Sequence, residues 1–185
     1  AAMSLYYQYV QNNDDNRFDA DSVYRGILEN NIYAIAKTPM AKTITERTLT
    51  GYKKYKTNVA YIENFSSILK SNIEEGKRQV EEAFEKVKFD VVIGNPPYQE
   101  VTTGRMMKKG QQQSVRNVFH EFQLVADQVA RKYSCLIYPG GRWIQRSGKG
   151  MADFGLKQIN SPYLLEIIYY QQASEVFKDV AISDG

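Results

Sequence analysis

At 185 residues with 43% hydrophobic side chains, the chain is one domain's worth and can bury a packed core. The single Cys135 and the single His120 exclude a disulfide framework and a cysteine-rich metal site, and no apolar run is long enough to span a bilayer. The net charge of +3 permits nucleic-acid binding without arguing for it. No signal peptide is recognised, so the expected setting is cytoplasmic.

Residues 3–11 read as a helix and 11–21 as a polar loop. A short helix is expected over 23–29 and a buried strand over 32–36. Thr38 followed by Pro39 is a helix start, and Gly51 a stop, so a helix is expected between them. Residues 51–57 are rich in Lys and Tyr and read as a loop, and 59–62 as a weak strand. Apolar residues at helical spacing from Ile68 to Val87 predict a helix over 66–87, with Gly76 as its point of interruption and its charges on a solvated face.

Residues 89–94 are short, β-branched and bounded by breakers, and read as a buried strand. Asn95-Pro96-Pro97-Tyr98 follows and cannot continue a ladder: neither proline has an N–H, and each pushes the residue before it out of the helical region. Residues 101–113 read as a polar loop, 114–132 as a helix, and 133–138 as a second buried strand with Cys135 as a small core residue. A loop over 140–150, a helix over 151–158 and strands over 164–170 and 180–182 complete the pattern. Strands alternating with helices predict an α/β fold with a mostly parallel sheet. Asp90, at the start of its strand, and His120, within a helix, are expected to be structural, and no metal site is assigned.

In an open α/β sheet, ligands sit at the C-terminal ends of strands. A stiff turn there suits a flat polar group such as adenine. The Asn95 side-chain oxygen and the Pro96 carbonyl are placed to accept the two hydrogens of an exocyclic amine, and Tyr98 to stack on the ring, a contact of roughly 1–3 kcal/mol. Two acceptors around one NH₂ favour the pyramidal nitrogen whose lone pair attacks.

At these residues the chain resembles the S-adenosylmethionine-dependent amino-methyltransferases, above all the adenine-specific (N6) DNA methyltransferases of restriction–modification systems. The likeness runs through FDVVIGNPPY at 89–98, YPGGRW at 138–143, GKGMADF at 148–154 and VFKDVAI at 176–182, with ILENNIYAIAKT at 27–38 upstream. It implies a Rossmann-like methyltransferase core with flanking helices, with residues 1–185 as a partial catalytic domain truncated at both ends. It also implies bacterial or archaeal origin and methyl transfer from S-adenosylmethionine to a flipped adenine in double-stranded DNA. A target-recognition part is then expected downstream, and an endonuclease fused or separate. Asn95, Pro96, Pro97 and Tyr98 are the catalytic candidates. Arg105, Lys108 and Lys109 in the following loop, with Arg142 and Trp143 after the next strand, are the DNA-contact candidates. Two other readings stand beside this one: a protein-glutamine methyltransferase, whose planar amide suits the same turn, and a non-catalytic nucleic-acid-binding module.

The chain departs from the family where the cofactor belongs. No Gly-rich turn lies upstream of Ile32, and Lys37 and Thr38 stand where an acidic residue for the ribose is expected. Gly148-Lys149-Gly150 falls on the wrong side of the catalytic turn and reads as a surface turn, so no cofactor residue is assigned and the chain alone is expected to be inactive. Calorimetric titration of these 185 residues with S-adenosylmethionine is therefore predicted to give no heat; micromolar binding would reveal an unrecognised replacement for the missing loop.

Overall fold

A computed structural model describes residues 8, 19–101, 115–145 and 150–178, and the chain forms two compact units that meet in sequence between Lys88 and Phe89. The helix expected over 3–11, most of the loop over 11–21 and the strand over 180–182 lie outside the described residues.

The first unit is built on a strand–helix–strand crossover. Helix α1 (Ala20–Asn30) is capped by Asp19, whose carboxylate accepts from Asp21 N and Ser22 N. Strand β1 (Tyr33–Ala36) leads into α2 (Pro39–Thr50), which returns to β2 (Asn58–Tyr61). The two strands pair in parallel, Tyr33 opposite Asn58 and Ala36 opposite Tyr61. The signals at either end of α2 act as read: Thr38 Oγ1 accepts from Ala41 N at 3.0 Å, Pro39 opens the first turn, and Gly51 closes the helix in the left-handed region at φ 57°. Asn58 donates to the carbonyls of Leu28, Glu29 and Ile32 at 3.2, 2.8 and 3.3 Å, satisfying acceptors that the end of α1 leaves open.

The long helix expected over 66–87 is two helices, α3 (Phe65–Ser71) and α4 (Ile73–Ala83). The break falls at Asn72, not at Gly76. Asn72 is extended, and its side-chain oxygen accepts from Glu74 N at 2.9 Å and Glu75 N at 3.3 Å, so it starts a new helix. Gly76 lies inside α4 because Leu69 packs there: a Cβ on Gly76 would meet Leu69 Cδ2 at 2.1 Å. Leu69 joins Leu28, Val59, Val80 and Phe84 among the buried side chains.

In the second unit, strand β3 (Phe89–Gly94) pairs in parallel with β6 (Ala130–Leu136), with one extra residue on β6 between the Phe89–Ala130 and Val91–Tyr133 pairs. Between them run β4 (Gln99–Val101), β5 (Val115–Asn117) and α5 (Phe119–Val129). β4 and β5 pair antiparallel, Gln99 opposite Asn117 and Val101 opposite Val115. The helix expected from Ser114 thus starts at Phe119, because Val115–Asn117 is claimed by a strand partner. The loop expected over 140–150 contains one helical turn, α6 (Gly141–Ile144), and α7 (Met151–Ile159) follows.

Three expectations fail in this unit. β3 is not buried on both faces: Val91 is 54% and Ile93 66% exposed. Cys135 is an exposed free thiol on the strand residue paired with Ile93, not a core residue. The other face is covered by α5: Ser134 Oγ lies 3.2 Å from Gln123 Nε2 and donates to Asp127 Oδ1 at 2.5 Å. Residues 164–170 form no strand, and the described residues supply three two-stranded sheets instead of one wide one. An apolar run becomes a strand only where its N–H and C=O groups meet a ladder, and no strand among the described residues pairs with this segment. Its Tyr169 ring packs on Gly140, where a Cβ would meet Cδ2 at 3.1 Å.

The core of this unit is aromatic. Phe119, Trp143, Met151 and Phe154 are buried together, with Tyr138 and Ile144 against them. Tyr138 stacks on Phe119 at 4.8 Å, and Trp143 meets Phe154 edge-on at 5.7 Å. His120 packs edge-on to Phe119 and Phe154 at 5.9 and 5.7 Å. Its Nε2 lies 3.8 Å from Glu121 Oε1, but Arg116 pairs with that same oxygen and neutralises it. Burial therefore dominates and, with the Arg116 charge, holds the imidazole below its ordinary range.

Two predictions follow from this packing. Gly76→Ala gains helix propensity but overpacks against Leu69, so urea unfolding should show a net loss of about 1–2 kcal/mol. For His120, the depressed folded pKa means that the unfolded chain takes up the proton more readily. The stabilisation is complete above the unfolded value of about 6.5 and is lost as pH falls below it toward the folded pKa. Between pH 7.5 and 5.5 the urea midpoint should fall less in His120→Gln than in the wild type.

Candidate active site

The proposed catalytic turn begins where the β3–β6 ladder ends. Gly94 lies opposite Leu136, and its carbonyl accepts from Ile137 N at 2.9 Å. Because the two strands are parallel, residues 95–98 and 138–143 emerge at the same edge of the sheet. Asn95 to Tyr98 has no regular structure, as two successive prolines require. At Gln99 the chain turns into the β4–β5 hairpin.

Burial alternates usefully along the turn. Pro96 is buried and anchors it; Asn95 is exposed, and Pro97 and Tyr98 are half-buried. The backbone of Tyr98 is tied down, its carbonyl accepting from Val118 N at 3.0 Å just before α5. The Asn95 amide lies beside the Tyr98 hydroxyl. Burial raises the phenol's pKa above its ordinary value, and the amide opposes this. The phenol therefore stays neutral at physiological pH and serves as a stacking surface and hydrogen-bonding group. Asn95, with no charge of its own, offers a carbonyl oxygen and an NH₂ at the solvent edge.

The other candidates divide. Trp143 reaches the same edge but is only 4% exposed and packs the aromatic core, so it does not line an open pocket. Among the described residues its indole N–H has no hydrogen-bond partner. Arg142 lies in the single turn of α6 beside Trp143. Arg105, Lys108 and Lys109 lie outside the described residues. Sequence reasoning missed Tyr138. It leaves the end of β6, stacks on Phe119, and has its phenol pushed well above the ordinary range, chiefly by burial and further by the Asp127 carboxylate. Its signal was present in the YPGGRW segment, where the tyrosine directly follows the apolar run.

Asp90 is at the opposite end of β3 from the turn and pairs with Lys132 at 3.3 Å and Arg131 at 3.9 Å, a structural tie between the two strands. At the end of β1 the chain passes through Lys37 and Thr38 directly into α2, with no glycine and no carboxylate. The described residues therefore do not fit a nucleoside cofactor at that strand end. No helix among them is long and apolar enough to cross a membrane.

No curated protein and no solved structure matches the chain. The family model described as Eco57I restriction-modification methylase matches residues 30–177, which takes in both βαβ crossovers and the whole of the Asn95–Tyr98 turn, and the chain belongs to that family.

Proposed function

We propose that this chain carries the base-binding half of a DNA methylase active site, acting on the N6 amine of an adenine flipped out of the duplex. One observation carries the reading: an uncharged amide, Asn95, is exposed at the C-terminal edge of a parallel strand pair, beside the half-buried Tyr98. The family membership supports methyl transfer in DNA modification. An exocyclic amine suits two carbonyl acceptors, and among the bases that carry one the likeness of the turn to adenine-specific enzymes favours adenine.

The base enters against the Asn95 amide and the Tyr98 ring. The Asn95 oxygen accepts one amine hydrogen and the Pro96 carbonyl the other, while the Tyr98 ring covers the base face. This arrangement biases the nitrogen toward a pyramidal shape with its lone pair directed away from the two acceptors. The neutral phenol adds no charge that would compete with them. Deprotonation of the amine beforehand is unnecessary, because the alkylated nitrogen is acidic enough to release its proton to water. The methyl group itself comes from S-adenosylmethionine, and no described residue is assigned to that cofactor.

The whole gene product, incubated with methyl-labelled S-adenosylmethionine and unmodified duplex DNA, should place the label in N6-methyladenine. Asn95→Ala should lower the rate by about 10²–10³-fold while changing stability by less than about 0.5 kcal/mol, since the side chain is exposed. Label in a glutamine-containing peptide but not in DNA would transfer the reading to a protein-glutamine methylase. Full activity in Asn95→Ala would remove the amide from the mechanism.

A further inference from the structure

The Lys- and Tyr-rich loop 51–57 in the first unit has no part in the site described above. From Arg47 to Thr57 the sequence holds four cations (Arg47, Lys53, Lys54 and Lys56) and no carboxylate, more positive charge than the +3 net of the entire chain. Among the described residues, the side chains of Arg47, Lys54 and Lys56 have no carboxylate partner, although Lys42, Arg78 and Lys88 elsewhere in the unit do.

The loop is also held in place. Tyr52 N donates to Arg47 O at 3.2 Å and Lys53 N to Thr50 O at 3.1 Å, which fixes its start on the end of α2. Further on, the Lys53 ammonium and the Tyr55 hydroxyl both bind Asp21 Oδ1 in α1, and the ammonium sits 5.4 Å from the centre of the Tyr55 ring. Lys53 and Tyr55 thus serve as struts, which leaves Lys54 and Lys56 exposed between and beyond them. Tyr52 has φ of 63°, a conformation that L side chains rarely adopt, yet its ring is 80% exposed. Burial does not explain that strain. The residue lies in the turn that closes α2 and stands exposed beside these cations.

We propose that loop 51–57 is a DNA contact, in which Lys54, Lys56 and Arg47 meet backbone phosphates and the Tyr52 ring lies against a sugar or an unstacked base. The partner follows from the methylase reading, and the combination of free cations with one bare aromatic ring is the chemistry of a nucleic-acid surface. An acidic peptide would use the cations but has no need of the ring.

Binding of the 185-residue chain to fluorescein-labelled duplex DNA, followed by anisotropy from 50 to 200 mM NaCl, tests the contact. Lys54→Gln with Lys56→Gln should lower the slope of log K against log salt by about 2, so that the affinity lost over that range shrinks by about tenfold. Lys70→Gln with Lys86→Gln, two exposed lysines elsewhere in the unit, should leave the slope unchanged. Tyr52→Ala should weaken DNA binding at every salt concentration without altering the slope, and should not weaken binding of polyglutamate. An unchanged slope in the Lys54/Lys56 variant, no DNA binding by the wild type, or equal losses for DNA and polyglutamate in Tyr52→Ala would each overturn the proposal. Loop-dependent binding by a gene product that never methylates DNA would leave the contact standing and remove the methylase reading; methylation with an unchanged slope would do the reverse.

Discussion

The rung between Gly94 and Ile137 is the constraint from which the site follows. A parallel ladder sends both of its strands out at one edge, so the chain leaving β3 and the chain leaving β6 must begin side by side. Prolines 96 and 97 then forbid any further pairing, and the polypeptide is forced away from the sheet just where Tyr138 and the α6 turn begin. Tyr98 is returned to the same unit by its carbonyl, which accepts from Val118 N and so ties the turn to the helix that spans the crossover. An exposed amide at this corner is held by backbone geometry on both sides rather than by its own contacts.

Features encoded by neighbouring residues were legible in the sequence. Thr38, Pro39 and Gly51 bound α2 because each acts on backbone groups within one turn of itself. The apolar run before Asn95 ended where two prolines made continuation impossible. Features that depend on distant partners were not legible. Val115–Asn117 resembles the start of a helix until Gln99–Val101 is brought opposite it. Residues 164–170 have the composition of a strand, but composition does not supply a hydrogen-bonding neighbour. Asn72 was overlooked in favour of Gly76 because glycine is the commoner breaker, whereas the asparagine has a side chain that actively caps the next helix and the glycine is required by the bulk of Leu69.

The same division runs through the site. The irregular turn at Asn95–Tyr98 was legible because two successive prolines carry their own geometry. Trp143 was placed at the correct edge by its position after β6, but its depth depends on Phe119 and Phe154, which lie 24 residues before and 11 after it and whose convergence no local pattern announces. Aromatic packing beneath the edge and polar chemistry above it divide the labour: the first fixes the strand ends, and the second meets the solvent.

The bare side of the β3–β6 pair has a practical consequence. Val91, Ile93, Tyr133 and Ile137 form a water-facing apolar strip, and parallel pairs are ordinarily covered on both faces. Salt acts on such a strip in the opposite sense from its action on a polyanion contact: ions excluded from the surface strengthen apolar association while they screen charge. A strongly excluded salt such as sulfate therefore favours association through this strip under the same conditions in which it screens a polyanion contact.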